Sequence, residues 1–129
     1  MPVALATVQS RAVAYALDAG ITSVPLAVVV TLSALDPLAV ILLTQTVYFL
    51  YFVILWSPVG GGRTVGMRAL GIRVVSVDGG VISLLRAVVR YVVQILGMAL
   101  LFVGVIWILA DERRQGWHDK VARTLVVRM

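Results

Sequence analysis

The chain has 129 residues, of which 61% are hydrophobic and only 13% charged, and its mean hydropathy is +1.05, whereas soluble domains carry about a quarter charged residues. A water-soluble globule is excluded, and with no cysteine so are disulfide frameworks, thiolate metal sites and cysteine nucleophiles. Eleven Lys+Arg against six Asp+Glu leave a net +5, concentrated beside apolar runs, which points to membrane orientation and anionic headgroups and not to nucleic acid.

The first apolar stretch runs over residues 12–35, interrupted by Asp18 and loosened at Pro25. At ~1.5 Å per residue it can cross a hydrocarbon core of ~30 Å. It is too long for a secretory signal, contains an acid and has no positive charge before Arg11, so it reads as a retained transmembrane helix. A short turn over 33–37 leads into a second apolar run, 38–56, with Tyr48, Tyr51, Phe52 and Trp56 gathered at one end as an expected interfacial belt. The two form an antiparallel hairpin. Its turn holds Asp36 and no Lys or Arg, whereas Arg11, Arg63, Arg68 and Arg73 flank the other end, so the amino terminus and the loop 57–83 are expected on the cytoplasmic side.

Within that loop Gly60, Gly61 and Gly62 break the helix, and 64–70 suits a short interfacial helix with Arg68 snorkelling to phosphate. Arg63, Arg68 and Arg73 are thus assigned to lipid headgroups. Residues 72–77 alternate as a strand, and Asp78-Gly79-Gly80 supplies a turn. Ser83 is an expected N-cap for a third helical segment, 84–110, of which 92–109 is barely long enough to span. A crossing there would put Arg113, Arg114, Lys120, Arg123 and Arg128 outside, against the positive-inside rule. Residues 123–128 also read as a strand whose natural mate is 72–77, which requires both on one side. The balance favours a segment that turns back near Gly97 or Gly104 over a simple third span. The expected fold class is an all-α polytopic membrane protein in one domain, 1–129: a helical hairpin, an interfacial loop with a short helix and small β pairing, a third spanning or re-entrant segment, and a basic tail, 111–129.

Asp18 is the residue most in need of explanation, because a carboxylate inside a membrane helix costs a few kcal/mol unless paired, protonated or hydrated. Arg11, seven positions earlier on the same helical face, can anchor at the headgroups but lies ~10 Å away along the axis. The expected partner comes from the third segment, where Arg86, Arg90, Gln94, Gly97 and Gly104 form one polar and small stripe facing protein. An ion pair fixing helix packing is preferred to a proton or cation relay, because only one acid is buried and no pair of broken helices recurs. Thr44, Gln45 and Thr46 suit either a cavity wall or helix contacts. His118 beside Asp119 lacks companions for a zinc site or a triad, and 60–66 lacks the Gly-Lys-Ser/Thr ending of a phosphate loop. Neither enzymatic chemistry, metal nor cofactor is expected. Asp119 is read as a cap for a short helix or a partner for an arginine of the loop, with Trp117 seating the tail at the headgroups.

The motifs occur in a recognisable order: Arg11 with Asp18, Gly-Arg-Thr-Val-Gly-Met-Arg-Ala-Leu-Gly-Ile-Arg-Val-Val from Gly62, Asp78-Gly79, Arg86 and Arg90, and Trp-His-Asp-Lys-Val-Ala-Arg-Thr-Leu-Val-Val from Trp117. Over nearly its whole length the chain resembles the RDD family of small bacterial membrane proteins, of the actinobacterial type. By that resemblance the characteristic positions are Arg11, Asp18 and Asp119, with Thr64, Gly66, Gly71, Arg90 and Thr124. The family commonly has a lysine after the glycine matched by Gly66, where this chain has Met67 followed by Arg68. Some members have been proposed as cation/proton antiporters, and others are encoded beside Mce-type lipid importers. The resemblance narrows architecture more than function; with only about three apolar segments to enclose a path, the leading expectation is an inner-membrane accessory subunit of a larger complex or homo-oligomer, one moving lipids. An oligomeric cation/proton transporter using Asp18 is the alternative, and an anionic-lipid binding module the second alternative.

Overall fold

The computed structural model describes residues 4–100 and 106–128. Helix α1, Val8–Ser33, opens where the Thr7 hydroxyl accepts the Ser10 backbone N–H at 3.0 Å. It therefore starts one turn before the apolar run itself. Ala34 closes it in the left-handed region (φ 51°). Two residues later Asp36 caps α2, Pro37–Trp56, by accepting from the Ala39 N–H at 2.9 Å, with Pro37 in the first turn. Both helices are long and apolar enough to span a membrane.

Their packing is uneven along the hairpin. The buried residues are Ala14, Asp18 and Thr22 of α1 and Phe52, Val53 and Trp56 of α2, and no residue from 24 to 46 is buried. Tyr48 and Tyr51 are half-buried, while Phe52 is 3% and Trp56 1% exposed. Of the expected interfacial belt, Phe52 and Trp56 turn inward as a seam, with Phe52 stacked between Tyr15 and Tyr48. Periodicity alone could not separate the two, because the belt and the seam occupy the same end of the helix and differ only in what packs over it.

After α2 the chain folds back on its own end: the Arg63 N–H donates to the Leu55 carbonyl at 2.9 Å and the Val74 N–H to the Gly62 carbonyl at 2.8 Å. Gly62 sits at φ +77°, and a Cβ there would collide with the Val74 carbonyl oxygen. Helix α3, Val65–Leu70, is capped by Thr64 and closed by Gly71. Strand β1, Ile72–Ser76, follows directly.

Helix α4, Leu84–Ala99, starts at the expected Ser83 cap and buries Ala87, Arg90, Tyr91, Gln94 and Gly97 on one face. The stripe thus faces protein, as its spacing requires, although Arg86 is only half-buried. Helix continuing to 110 is not observed: α4 ends at Ala99 and a 3-10 turn covers Trp107–Leu109. A turn-back at Gly104 lies outside the described residues. Helix α5, Trp117–Ala122, and strand β2, Thr124–Arg128, complete the chain.

The two strands pair antiparallel, from Ile72↔Arg128 to Ser76↔Thr124, and Leu5 forms a bridge to Val127. This register places both flanks of the third segment in one sheet. The core lies at this end of the molecule, where Trp56, Ile72, Val74, Ile82, Ala87 and Val126 meet beneath the sheet and helix ends.

Candidate functional site

Two buried carboxylates organise this end, each solved differently. Asp18 is 1% exposed and accepts three hydrogen bonds: from the Tyr51 hydroxyl at 2.6 Å, the Thr64 hydroxyl at 2.6 Å and the Gly66 backbone N–H at 2.8 Å. Thr64 acts twice, since its oxygen also accepts the Met67 N–H and so starts α3. Gly66 lets α3 press against α1: a Cβ there would collide with the Ala14 carbonyl oxygen and lie 2.9 Å from Asp18 Oδ1.

No Lys or Arg pairs with Asp18 among the described residues. The expected neutralisation by Arg86 or Arg90 is therefore corrected. Three neutral donors converge where a guanidinium was anticipated, and donated hydrogen bonds also stabilise a buried carboxylate.

Asp119 is the acid that takes the arginines. Fully buried, it accepts through Oδ2 from Arg11 Nη2 at 2.8 Å and the Gly116 N–H at 2.9 Å, and through Oδ1 from Arg90 Nη1. Arg90 Nη1 also donates to the Thr124 hydroxyl at 2.7 Å, and its guanidinium lies 4.7 Å over the Trp56 ring. Arg11 Nη1 donates to the Arg114 carbonyl at 2.7 Å. Asp119 thus caps α5, as expected, but its arginines come from α1 and α4, not from the loop, and Arg11 is tied inside instead of anchoring at the headgroups. One carboxylate between two guanidiniums locks α1, α4 and α5 together.

Burial alone would raise the Asp119 carboxyl, but the Arg90 and Arg11 guanidiniums outweigh it and hold the group well below the usual carboxylate range. His118 is pushed down to about 3 by burial, with Arg90 and Arg11 adding to the effect against the pull of Asp119. It is neutral at pH 7, so its 3.6 Å approach to Asp119 Oδ2 is not an ion pair there. Arg11 Nη2 lies 3.4 Å from His118 Nε2. A guanidinium can only donate, so Nε2 accepts and the ring proton resides on Nδ1.

Three further arginines brace turns. Arg86 donates to the Ala122 carbonyl at 2.9 Å, the Ser76 hydroxyl at 3.0 Å and the Arg123 carbonyl, closing the end of α5. Arg68 and Arg73 donate to the Gly60 and Gly61 carbonyls at 3.1 and 3.2 Å, and Arg63 is half-buried beside them. Sequence reasoning missed Tyr51 as a ligand of Asp18 and Trp56 as the face under Arg90. Thr64 carried a usable signal, being a hydroxyl residue directly before a short helix.

A family model described as the RDD family matches residues 5–123. The chain belongs to the RDD family. No curated protein and no solved structure matches it. In this RDD protein the matched span contains both buried acids and the two arginines of Asp119. With its two spanning-length apolar helices, it is a membrane protein.

Proposed function

We propose that this RDD protein is a small accessory subunit of the bacterial inner membrane, packing its helical hairpin against the helices of a larger assembly. The observation that carries this reading is Gln45. It lies in the middle of α2, is exposed, and its one recorded hydrogen bond is a 3.4 Å contact from the Tyr91 hydroxyl to its oxygen. Its amide N–H groups donate to nothing among the described residues. Such an amide in hydrocarbon calls for a partner on a neighbouring helix. The surrounding half of the hairpin, with no buried residue from 24 to 46, offers the matching bare surface.

The basic loop and tail meet in one sheet, and we place that end and the amino terminus in the cytoplasm by the positive-inside rule. There Arg68, exposed beside Arg63 and Arg73, serves anionic headgroups. The resemblance makes a lipid-moving complex of the Mce type the first partner to seek. A photo-crosslinking residue replacing Leu42, which is 59% exposed, tests the idea in native membranes. Capture of a stoichiometric larger membrane protein, lost in Gln45→Leu, is the expected result. Crosslinks to lipid or to its own copy alone would sink the accessory role.

A further inference from the structure

A cavity of about 370 Å³ lies between α1, the end of α2, α4 and α5, at the small end of the ~300–1,000 Å³ range for small-molecule sites. Most of its wall is apolar, from Tyr15, Phe52, Met67, Met98, Ile108 and Leu109. The other part carries Arg11, Trp56, Arg90 and His118. Three of these side chains, Trp56, Arg90 and His118, are 1%, 1% and 4% exposed. Each holds a nitrogen without a hydrogen-bond partner among the described residues: Trp56 Nε1, Arg90 Nε and His118 Nδ1.

All three are donors. Indole and guanidinium nitrogens have no acceptor function, and His118 Nε2 is taken by Arg11, which leaves the proton on Nδ1. Buried donors are nearly always paired; these three nitrogens are shielded from the cavity itself but belong to side chains that line it, so each can turn to meet an acceptor oxygen that enters. Asp18 also borders the cavity, but both of its oxygens are already held by Tyr51, Thr64 and Gly66. The cavity rim carries Ile106 and Leu109, 54% and 69% exposed, an apolar edge that suits an acyl chain. The space is too small for both tails of a phospholipid, and with Asp18 engaged the Gln94 amide oxygen is the acceptor its polar wall still offers beside Arg11, Trp56, Arg90 and His118, so donors predominate there.

We propose that this cavity binds one single-chain anionic amphiphile, a fatty acid, with its tail along the Phe52–Met98–Leu109 wall and its carboxylate toward Arg11, Arg90, Trp56 and His118. The site is independent of the hairpin surface assigned above to partner helices. Small rotations of the donor side chains bring their N–H groups onto the carboxylate as it enters.

The test uses Trp56 as reporter in the full chain carrying Trp107→Phe and Trp117→Phe, in nonionic detergent at pH 8. Dibromostearic acid should quench its fluorescence saturably. The matching dibromo alcohol, lacking the charge, should bind about tenfold more weakly or worse, as expected for losing a hydrogen bond to a charged group. Ala12 is exposed on α1 and borders the cavity, so Ala12→Phe narrows the entrance without touching the core and should weaken the acid by a similar factor. Quenching that is equal for acid and alcohol, or that follows micelle mole fraction without saturating, overturns the proposal. Acid-selective quenching indifferent to Ala12→Phe overturns the assignment to this cavity, and equal saturable quenching by a dibrominated phosphatidylcholine overturns the single-chain choice.

Discussion

Replacing Asp18 with asparagine separates packing from proton transfer. The carboxylate accepts from Tyr51 and Gly66 through Oδ1 and from Thr64 through Oδ2. Asparagine keeps one oxygen, which can retain the Tyr51 and Gly66 bonds, but presents N–H groups to the Thr64 hydroxyl. The hydroxyl proton then loses its acceptor inside a site where Thr64 is fully buried. One orphaned donor costs about 1–3 kcal/mol, and the two retained bonds weaken because an amide oxygen is a poorer acceptor than a carboxylate oxygen. The expected total is about 2–4 kcal/mol, on the order of 10 °C in Tm for a chain of this size. Thermal unfolding in detergent, followed by circular dichroism, measures it. In a double-mutant cycle, Thr64→Val should cost less in the Asp18→Asn background than alone, because the shared bond is already gone. A variant as stable as the parent that nonetheless abolishes cation-driven proton movement in proteoliposomes would refute the packing argument and restore the relay.

Asp119→Asn should be harsher, about 3–5 kcal/mol by the same unfolding assay, because it leaves the buried guanidiniums of Arg11 and Arg90 uncompensated. Stability should also fall on acidification. His118 drops from 6.5 to about 3 on folding, so the unfolded chain binds more protons between those values, and the stability present above about pH 6.5 is lost as pH falls toward 3. The depressed Asp119 carboxyl adds a loss below its unfolded value of about 4. Melting temperatures at pH 7.5, 5.5 and 4.5 should decline in the parent and decline less in His118→Gln; parallel curves would exclude the histidine. Gly66→Ala should cost at least about 2 kcal/mol, because its Cβ meets the Ala14 carbonyl, whereas Gly20→Ala, with nothing within 4 Å, should be neutral or slightly stabilising in the same melts. Cysteines placed at Arg68 and Arg128 should react with an impermeant maleimide from one side of the membrane only, and labelling from opposite sides would contradict the strand pairing.

The elements were legible because their signals are local. Ser83 is legible as a helix cap before its apolar run, and Thr7, Asp36 and Thr64, not expected as caps from the sequence, act in the same way, each through a hydroxyl or carboxylate three residues from the N–H it accepts. The pairing of 72–77 with 123–128 was also readable, since two short β-prone runs had no other mate. The seam at Phe52 and Trp56 was not, because aromatic side chains suit a membrane interface and a protein core alike.

The sequence by itself determined a two-helix membrane hairpin, a short interfacial helix, a pair of strands matched to each other, and one buried acid, Asp18, in need of partners. It could do so because hydrophobic length, caps and alternation act over a few residues. Only the tertiary structure decided which group satisfies which acid. Tyr51 and Thr64 reach Asp18 across 33 and 46 positions, and Arg11 reaches Asp119 across 108. A buried carboxylate accepts neutral donors as readily as a cation once they converge, and that convergence exists only after the helices have packed.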